Sequence, residues 1–355
     1  MASTPQDQKD TQAKPATDAP RRGIDADWLQ WIAEQRLRNC SPASMLDTMT
    51  ATGLPAEACR MAIAAVEADP IFAAARRHQQ LHAKLSSVAA NLQRLWELDP
   101  AYTTVERIRK PTREAFIERY VRGCRPVVIE GVADDWPAMQ RWQPRALAQR
   151  FGHLDVEVQA DRHADRQYER NKLAHRRTVR LADFIGQVLD GGPSNDCYLT
   201  ANNEALRQPG FAPLLDDVGT LPPICDRSRL AACSSFWLGP AGTVTPLHHD
   251  TLMLFHTQLV GSKRWRFVSP LHTPRLYNHF EYYSPIDLSN PDPVRYPDAE
   301  GVPVLEVVAG PGDTVFLPLA WWHEVTALEV SVSFSYSNLD LPNHYTYANA
   351  SISNW

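Results

Sequence analysis

The chain has 355 residues, 44% of them hydrophobic and 22% charged, with a formal net charge of −5. That length supports one sizeable core and a second, smaller unit, and the acidic balance argues against a nucleic-acid partner, which asks for a basic surface. Six scattered cysteines with no C-x-x-C pair argue against a zinc knuckle or a disulfide framework, so a reducing compartment, the cytoplasm, is expected. Residues 1–23 are polar and rich in Pro, Thr, Gln and Asp. They read as a disordered tail rather than a signal peptide, and no apolar run is long enough to predict a membrane span.

Residues 24–100 read as a helical module. Trp28, Trp31, Ile32 and Gln35 follow the spacing of one helix face, with Asp25 or Asp27 placed to cap. Ser41 caps a second helix with Pro42 at its first position, and Gly53 ends it. Pro55 opens a third, and Pro70 stops or kinks that one. The segment Ala73 to Leu98 then carries Leu81, Leu85, Val88, Leu92 and Leu95 at helical spacing. Such a module is either a bundle-like appendage or a docking surface for a partner or substrate.

Residues 101–355 read as one domain with a different texture. A helix is expected over 112–123, a buried strand over Arg125–Gly131, a helix over Pro144–Phe151 and a strand through Val156 and Val158. Residues 161–177, dense in charge and histidine, read as a solvated loop, and Leu181–Leu189 as an amphipathic helix. From Asp196 onward short β-rich runs dominate: Tyr198–Thr200, Ser234–Leu238, Leu252–Val260, Arg264–Val268, Leu305–Val308, Thr314–Leu317 and Ser331–Tyr336. Turn formers separate them, among them Gly261 and Pro311-Gly312-Asp313. Many short strands without a βαβ rhythm predict a mainly β fold with flanking helices. Its core is a double-stranded β-helix of the jelly-roll or cupin type.

The chemistry concentrates in Thr245-Pro-Leu-His-His-Asp250. Residues i and i+2 of an extended chain share a face, so His248 and Asp250 converge while His249 points away. One imidazole and one carboxylate supply two ligands of a 2-His-1-carboxylate facial triad, the arrangement that leaves coordination positions open on iron(II). Of the twelve histidines, His323 is the candidate third ligand. It follows the Pro-Gly-Asp turn, a buried strand and Trp321-Trp322, and so enters the next strand of the same barrel. His249, His256 and His344 read as structural or supporting residues.

With these motifs in place, residues 104–338 resemble the JmjC and cupin-like oxygenases, the group that includes the asparaginyl hydroxylase acting on hypoxia-inducible factor. The resemblance starts in Phe116–Ile129 and Asp135-Trp-Pro137 and is strongest across Thr245–Pro270 and Gly310–Asn338. It implies a dioxygenase using Fe(II), 2-oxoglutarate as co-substrate and O2, with His248, Asp250 and His323 as metal ligands. It also implies that Lys263 pairs with the distal carboxylate of 2-oxoglutarate, and that the hydroxyls of Thr245 and Tyr198 bond the same carboxylate. Several members carry an asparagine six residues after the first ligand. This chain has Leu254 there, so another group such as Gln258 or Ser333 takes over that contact, or co-substrate binding differs.

A peptide or protein side chain is the expected substrate, with demethylation or a small-molecule substrate as the alternative within the same chemistry. A non-oxidative metal-binding cupin or interaction module is the alternative outside it. A homodimer is an expectation from the family, whose members dimerise through C-terminal helices; only 17 residues follow Asn338, which weighs against that interface. Trp237, Trp321, Trp322 and Tyr336 are candidates for either the pocket wall or the core. The segment Tyr277–Val302 is either a substrate-covering loop or an ordinary connection.

Overall fold

The computed structural model describes residues 23–201, 203–278 and 282–343. The chain divides into two compact units, with the boundary between Val88 and Ala89 inside one long helix.

In the first unit, α1 (Ala26–Leu37) is capped by the Asp25 carboxylate, which accepts from the Trp28 amide, and α2 (Pro42–Ala51) by the Ser41 hydroxyl, which accepts from Ser44. Gly53, at φ +89°, ends α2 in the left-handed region that glycine enters without steric cost. α3 (Ala56–Ala68) follows Pro55. Trp28, Ile32, Met45, Met49, Cys59 and Ile63 from these three helices form a small buried core. Each such side chain contributes roughly 1.5–3 kcal/mol when fully buried.

Pro70 does not kink α3. It opens α4 (Pro70–Trp96), where a missing N–H is harmless, and Asp69 accepts from the Ile71 amide. Leu81, Leu85, Val88, Leu92 and Leu95 remain exposed along α4.

Among its described residues the second unit contains twelve strands: β1 (Glu106–Arg109), β2 (Val127–Glu130), β3 (Asp155–Gln159), β4 (Arg176–Arg180), β5 (Ser234–Gly239), β6 (Val244–His249), β7 (Leu254–Val260), β8 (Lys263–Val268), β9 (Leu305–Ala309), β10 (Thr314–Leu317), β11 (Trp322–Ala327) and β12 (Ser331–Tyr336). Six form one sheet in the order β1-β2-β10-β7-β12-β5, and four form a second in the order β6-β11-β8-β9. All pairings are antiparallel except β1 with β2. This is the expected double-sheet barrel, with β3 and β4 as a separate ribbon.

Two apolar layers hold the barrel. Phe116, Trp136, Trp142, Phe184, Phe236 and Phe334 pack the helices onto the large sheet. Val128, Trp265, Phe267, Val315 and Trp321 fill the space between the two sheets. Trp142 buries its bulk fully, and its indole N–H donates to Asp217 at 3.2 Å, so the polar edge of a core tryptophan is satisfied.

The stretch 161–177 departs from the solvated loop expected of it. Arg162, Glu169 and His175 are 1%, 7% and 7% exposed. Arg162 donates to Glu169 at 3.0 Å and to the Val244 carbonyl at 2.7 Å, and its guanidinium lies over the Tyr168 ring. Burial of these charges is tolerated because each finds an opposite charge or a carbonyl. Among the described residues no helix is long and apolar enough to cross a membrane.

Candidate metal centre and co-substrate pocket

β6 and β11 pair so that His248 and His323 stand directly opposite each other. Their rings lie 4.0 Å apart between centroids, and His323 Nε2 is 3.7 Å from Asp250 Oδ2. One donor atom from each of His248, Asp250 and His323 lies within 4.8 Å of the others.

The tautomers follow from hydrogen bonding. His248 Nδ1 faces the Pro246 carbonyl at 2.8 Å, and His323 Nδ1 faces the Trp321 carbonyl at 3.1 Å. A carbonyl only accepts, so each neutral ring carries its proton on Nδ1 and leaves the Nε2 lone pair for a ligand role. Burial lowers the pKa of His248 to about 4 and of His323 to about 3, so both rings are neutral at pH 7. Two neutral imidazoles and one carboxylate converging on a point fit a divalent iron and leave part of its coordination sphere free. His249 turns away to pack edge-on against Trp322, ring centroids 4.6 Å apart.

The triad sits in the wall of a cavity of about 460 Å³ between the two sheets, a volume typical of small-ligand sites. Lys263 reaches into it from β8. The turn that starts β8 needs Gly261 at φ +67°, where a Cβ would collide with the Val330 carbonyl. The Lys263 amine is 1% exposed, donates to the Tyr198 hydroxyl at 3.0 Å and the Ser333 hydroxyl at 2.9 Å, and lies 5.5 Å from the Trp237 ring centroid. Burial pulls its pKa down to about 7. Among the described residues its hydrogen bonds go to these two hydroxyls, and burial alone shifts it, with no carboxylate acting on it. A buried amine with hydroxyls alone for company fits an anionic ligand that supplies the counter-charge.

The structure thus brings His248, Asp250, His323, Lys263, Tyr198 and Thr245 to one cavity, with Leu254 in the same wall. Of the four aromatic candidates, Trp237 and Tyr336 line it. Trp321 and Trp322 are core residues instead; their indoles donate to the Cys124 carbonyl and the Thr273 hydroxyl. His344 lies outside the described residues.

Sequence reasoning missed Glu169, Lys172, Tyr282 and Tyr283, which also line the cavity. Tyr283 comes from the long 277–302 segment, whose residues 282–284 hydrogen-bond along the edge of β6. Its ring lies 5.4 Å from that of His248, and its hydroxyl donates to Glu169 at 3.1 Å. Glu169 in turn accepts from Arg162 and pairs with Lys172 at 3.3 Å. The only sequence signal for this network was a density of charge that reads equally well as a solvated loop.

Comparison with known proteins agrees with this geometry. Residues 112–340 match the cupin-like domain family. Lysine-specific demethylase 8 of Danio rerio is 31% identical over 244 residues, covering 65% of this chain and 57% of that protein. Its counterpart in Xenopus tropicalis is 29% identical over 242 residues, covering 66% and 52%. The human bifunctional peptidase and (3S)-lysyl hydroxylase JMJD7 is 26% identical over 271 residues, covering 67% and 85%. The chain therefore spans little more than half the length of the demethylase 8 proteins it matches. The family match covers most of the chain and contains the triad and Lys263, and the chain belongs to the cupin-like, JmjC-type family of iron(II)- and 2-oxoglutarate-dependent oxygenases.

Proposed function

We propose that this protein hydroxylates a side chain of a peptide or protein, using Fe(II) held by His248, Asp250 and His323 and 2-oxoglutarate anchored by Lys263. The observation that carries the proposal is the convergence of three metal-ligand atoms and one buried amine without a carboxylate partner in a single cavity. Bound iron(II) and 2-oxoglutarate supply oxidative decarboxylation of the co-substrate by O2, with one oxygen atom ending in succinate and the other in a C–H bond of the substrate.

The protein's part is placement. His248 and His323 present unprotonated Nε2 atoms, fixed by their carbonyl partners. Lys263, with Tyr198 and Ser333 behind it, neutralises one end of the co-substrate, and Thr245 offers a hydroxyl in the same wall. Tyr282, Tyr283 and Trp237 add aromatic surface to a wall that also carries polar residues such as Glu169, Asn203 and Arg207.

Relatives whose printed names state their targets act on lysine or arginine residues, which supports a polypeptide substrate. The relatives include both lysine demethylases and a lysyl hydroxylase; both reactions begin with oxygen entering a C–H bond, and hydroxylation is put first because it needs no methyl group on the substrate. We place the enzyme in the cytoplasm, in keeping with six free cysteines.

The test is to purify the protein without oxygen, add iron(II), 2-oxoglutarate and lysine- or arginine-containing peptides, and admit air. Succinate together with a peptide gaining the mass of one oxygen supports the proposal. Formaldehyde release from methylated peptides would favour the demethylase. Absence of succinate, coupled or uncoupled, would leave a binding module.

A further inference from the structure

Leu254 occupies the position where several family members carry an asparagine, and it lines the cavity without a hydrogen-bonding group. Neither polar residue suggested by the sequence replaces it. Gln258 donates its amide to the Val260 carbonyl at 2.7 Å, Ser333 accepts from Lys263, and neither lines the cavity.

His256 does line it. Two residues beyond Leu254 on β7, it shares a face with that position. Its ring is 4% exposed and lies against Trp237 and Trp265, centroids 5.6 and 5.0 Å away. Trp237 also lies beside the Lys263 amine, and that amine is near enough to His256 to act on its charge, with both residues in the cavity wall. Among the described residues the buried Nε2 of His256 has no hydrogen-bond partner. An unpaired buried ring nitrogen costs stability, and a ligand that pairs it recovers that cost. Burial, with Lys263 nearby, holds the pKa well below the ordinary histidine value, so the ring is neutral and has one N–H to donate.

We infer that His256 is a second donor to the co-substrate carboxylate that Lys263 neutralises. This inference rests on the 2-oxoglutarate reading of the cavity. It assigns His256 a contact with the co-substrate itself, not a supporting role behind another residue.

The test is calorimetric titration of 2-oxoglutarate into the full chain loaded with manganese(II), which permits binding without turnover. Wild type, His256→Leu and His256→Asn are compared, with manganese affinity and thermal midpoint measured for each. Wild type is expected to bind. His256→Leu should weaken binding by about tenfold or more, the range for a hydrogen bond to a charged group. His256→Asn, which restores an N–H donor, should stay within about threefold of wild type on the same scale. Manganese affinity should be the same in all three. A His256→Leu protein that binds 2-oxoglutarate as tightly as wild type overturns the inference. So does a His256→Asn protein as weak as His256→Leu, since the ring would then act through packing alone. A wild type that binds manganese but no 2-oxoglutarate overturns the oxygenase reading itself, and this inference with it.

Discussion

At one end of the cavity two of the metal-ligand candidates, His248 and His323, come from paired strands, and the third, Asp250, directly follows one of them. At the other end, Lys263, Tyr198 and His256 arrive from β8, a loop and β7, with Ser333 of β12 behind the lysine. The first set is held by local backbone: each imidazole is oriented by a carbonyl two residues before it. The second is held by the packing of both sheets and has no local spacing of its own. The metal end should therefore fail sharply and locally when altered, and the co-substrate end should respond in graded steps.

The sharpest way to break the comparison is at the triad. His248→Ala or Asp250→Ala should abolish succinate formation, whereas His249→Ala should retain a substantial fraction, because His249 packs on Trp322 and is not among the three converging ligand residues. Equal damage from His248→Ala and His249→Ala would mean the ligand assignment is wrong.

Arg162→Met should destabilise the fold by about 3–5 kcal/mol in denaturant titration, since it leaves the buried Glu169 without its innermost partner. A loss below about 1 kcal/mol, the range of a surface pair, would show that Lys172 alone compensates.

At the other end, Lys263→Met should weaken 2-oxoglutarate binding by about 10- to 100-fold while metal affinity stays unchanged. Because it removes a buried amine that has no counter-charge among the described residues, the ligand-free protein should lose no stability in a thermal melt.

The smallest effect is a pH dependence. Lys263 titrates near 7 in the ligand-free site, and a bound carboxylate favours the ammonium and raises that value. The complex then holds more protons than the free protein above pH 7, so binding takes up protons and weakens as pH rises. The limit is about tenfold per pH unit. Below pH 7 the amine is already charged and this group adds no further slope. Affinity that climbs between pH 7 and about pH 9 would contradict the linkage.

The same contrast explains what the sequence disclosed. The two-sheet barrel was legible because β7, β8, β10 and β12 are short β-rich runs, with turn formers such as Gly261, Pro270 and Pro311-Gly312-Asp313 between runs. The strand β1, Glu-Arg-Ile-Arg, carries no apolar alternation and gains its place only by pairing in parallel with β2. His248 and Asp250 share one short extended segment, and His323 follows a distinctive turn, so their convergence could be argued from spacing. Arg162 and Glu169 could not be separated from solvated charge, since only tertiary contacts reveal that they are buried. His256 was indistinguishable from a core histidine until the cavity wall and its unpaired nitrogen were known.

The most direct measurement of the central claim is a manganese(II) titration followed by electron paramagnetic resonance on wild type and His323→Ala. The account predicts one tight ion per chain in the wild type and its loss in the variant, whose fold is checked by circular dichroism. A folded His323→Ala protein that still takes up one ion with wild-type affinity would contradict it.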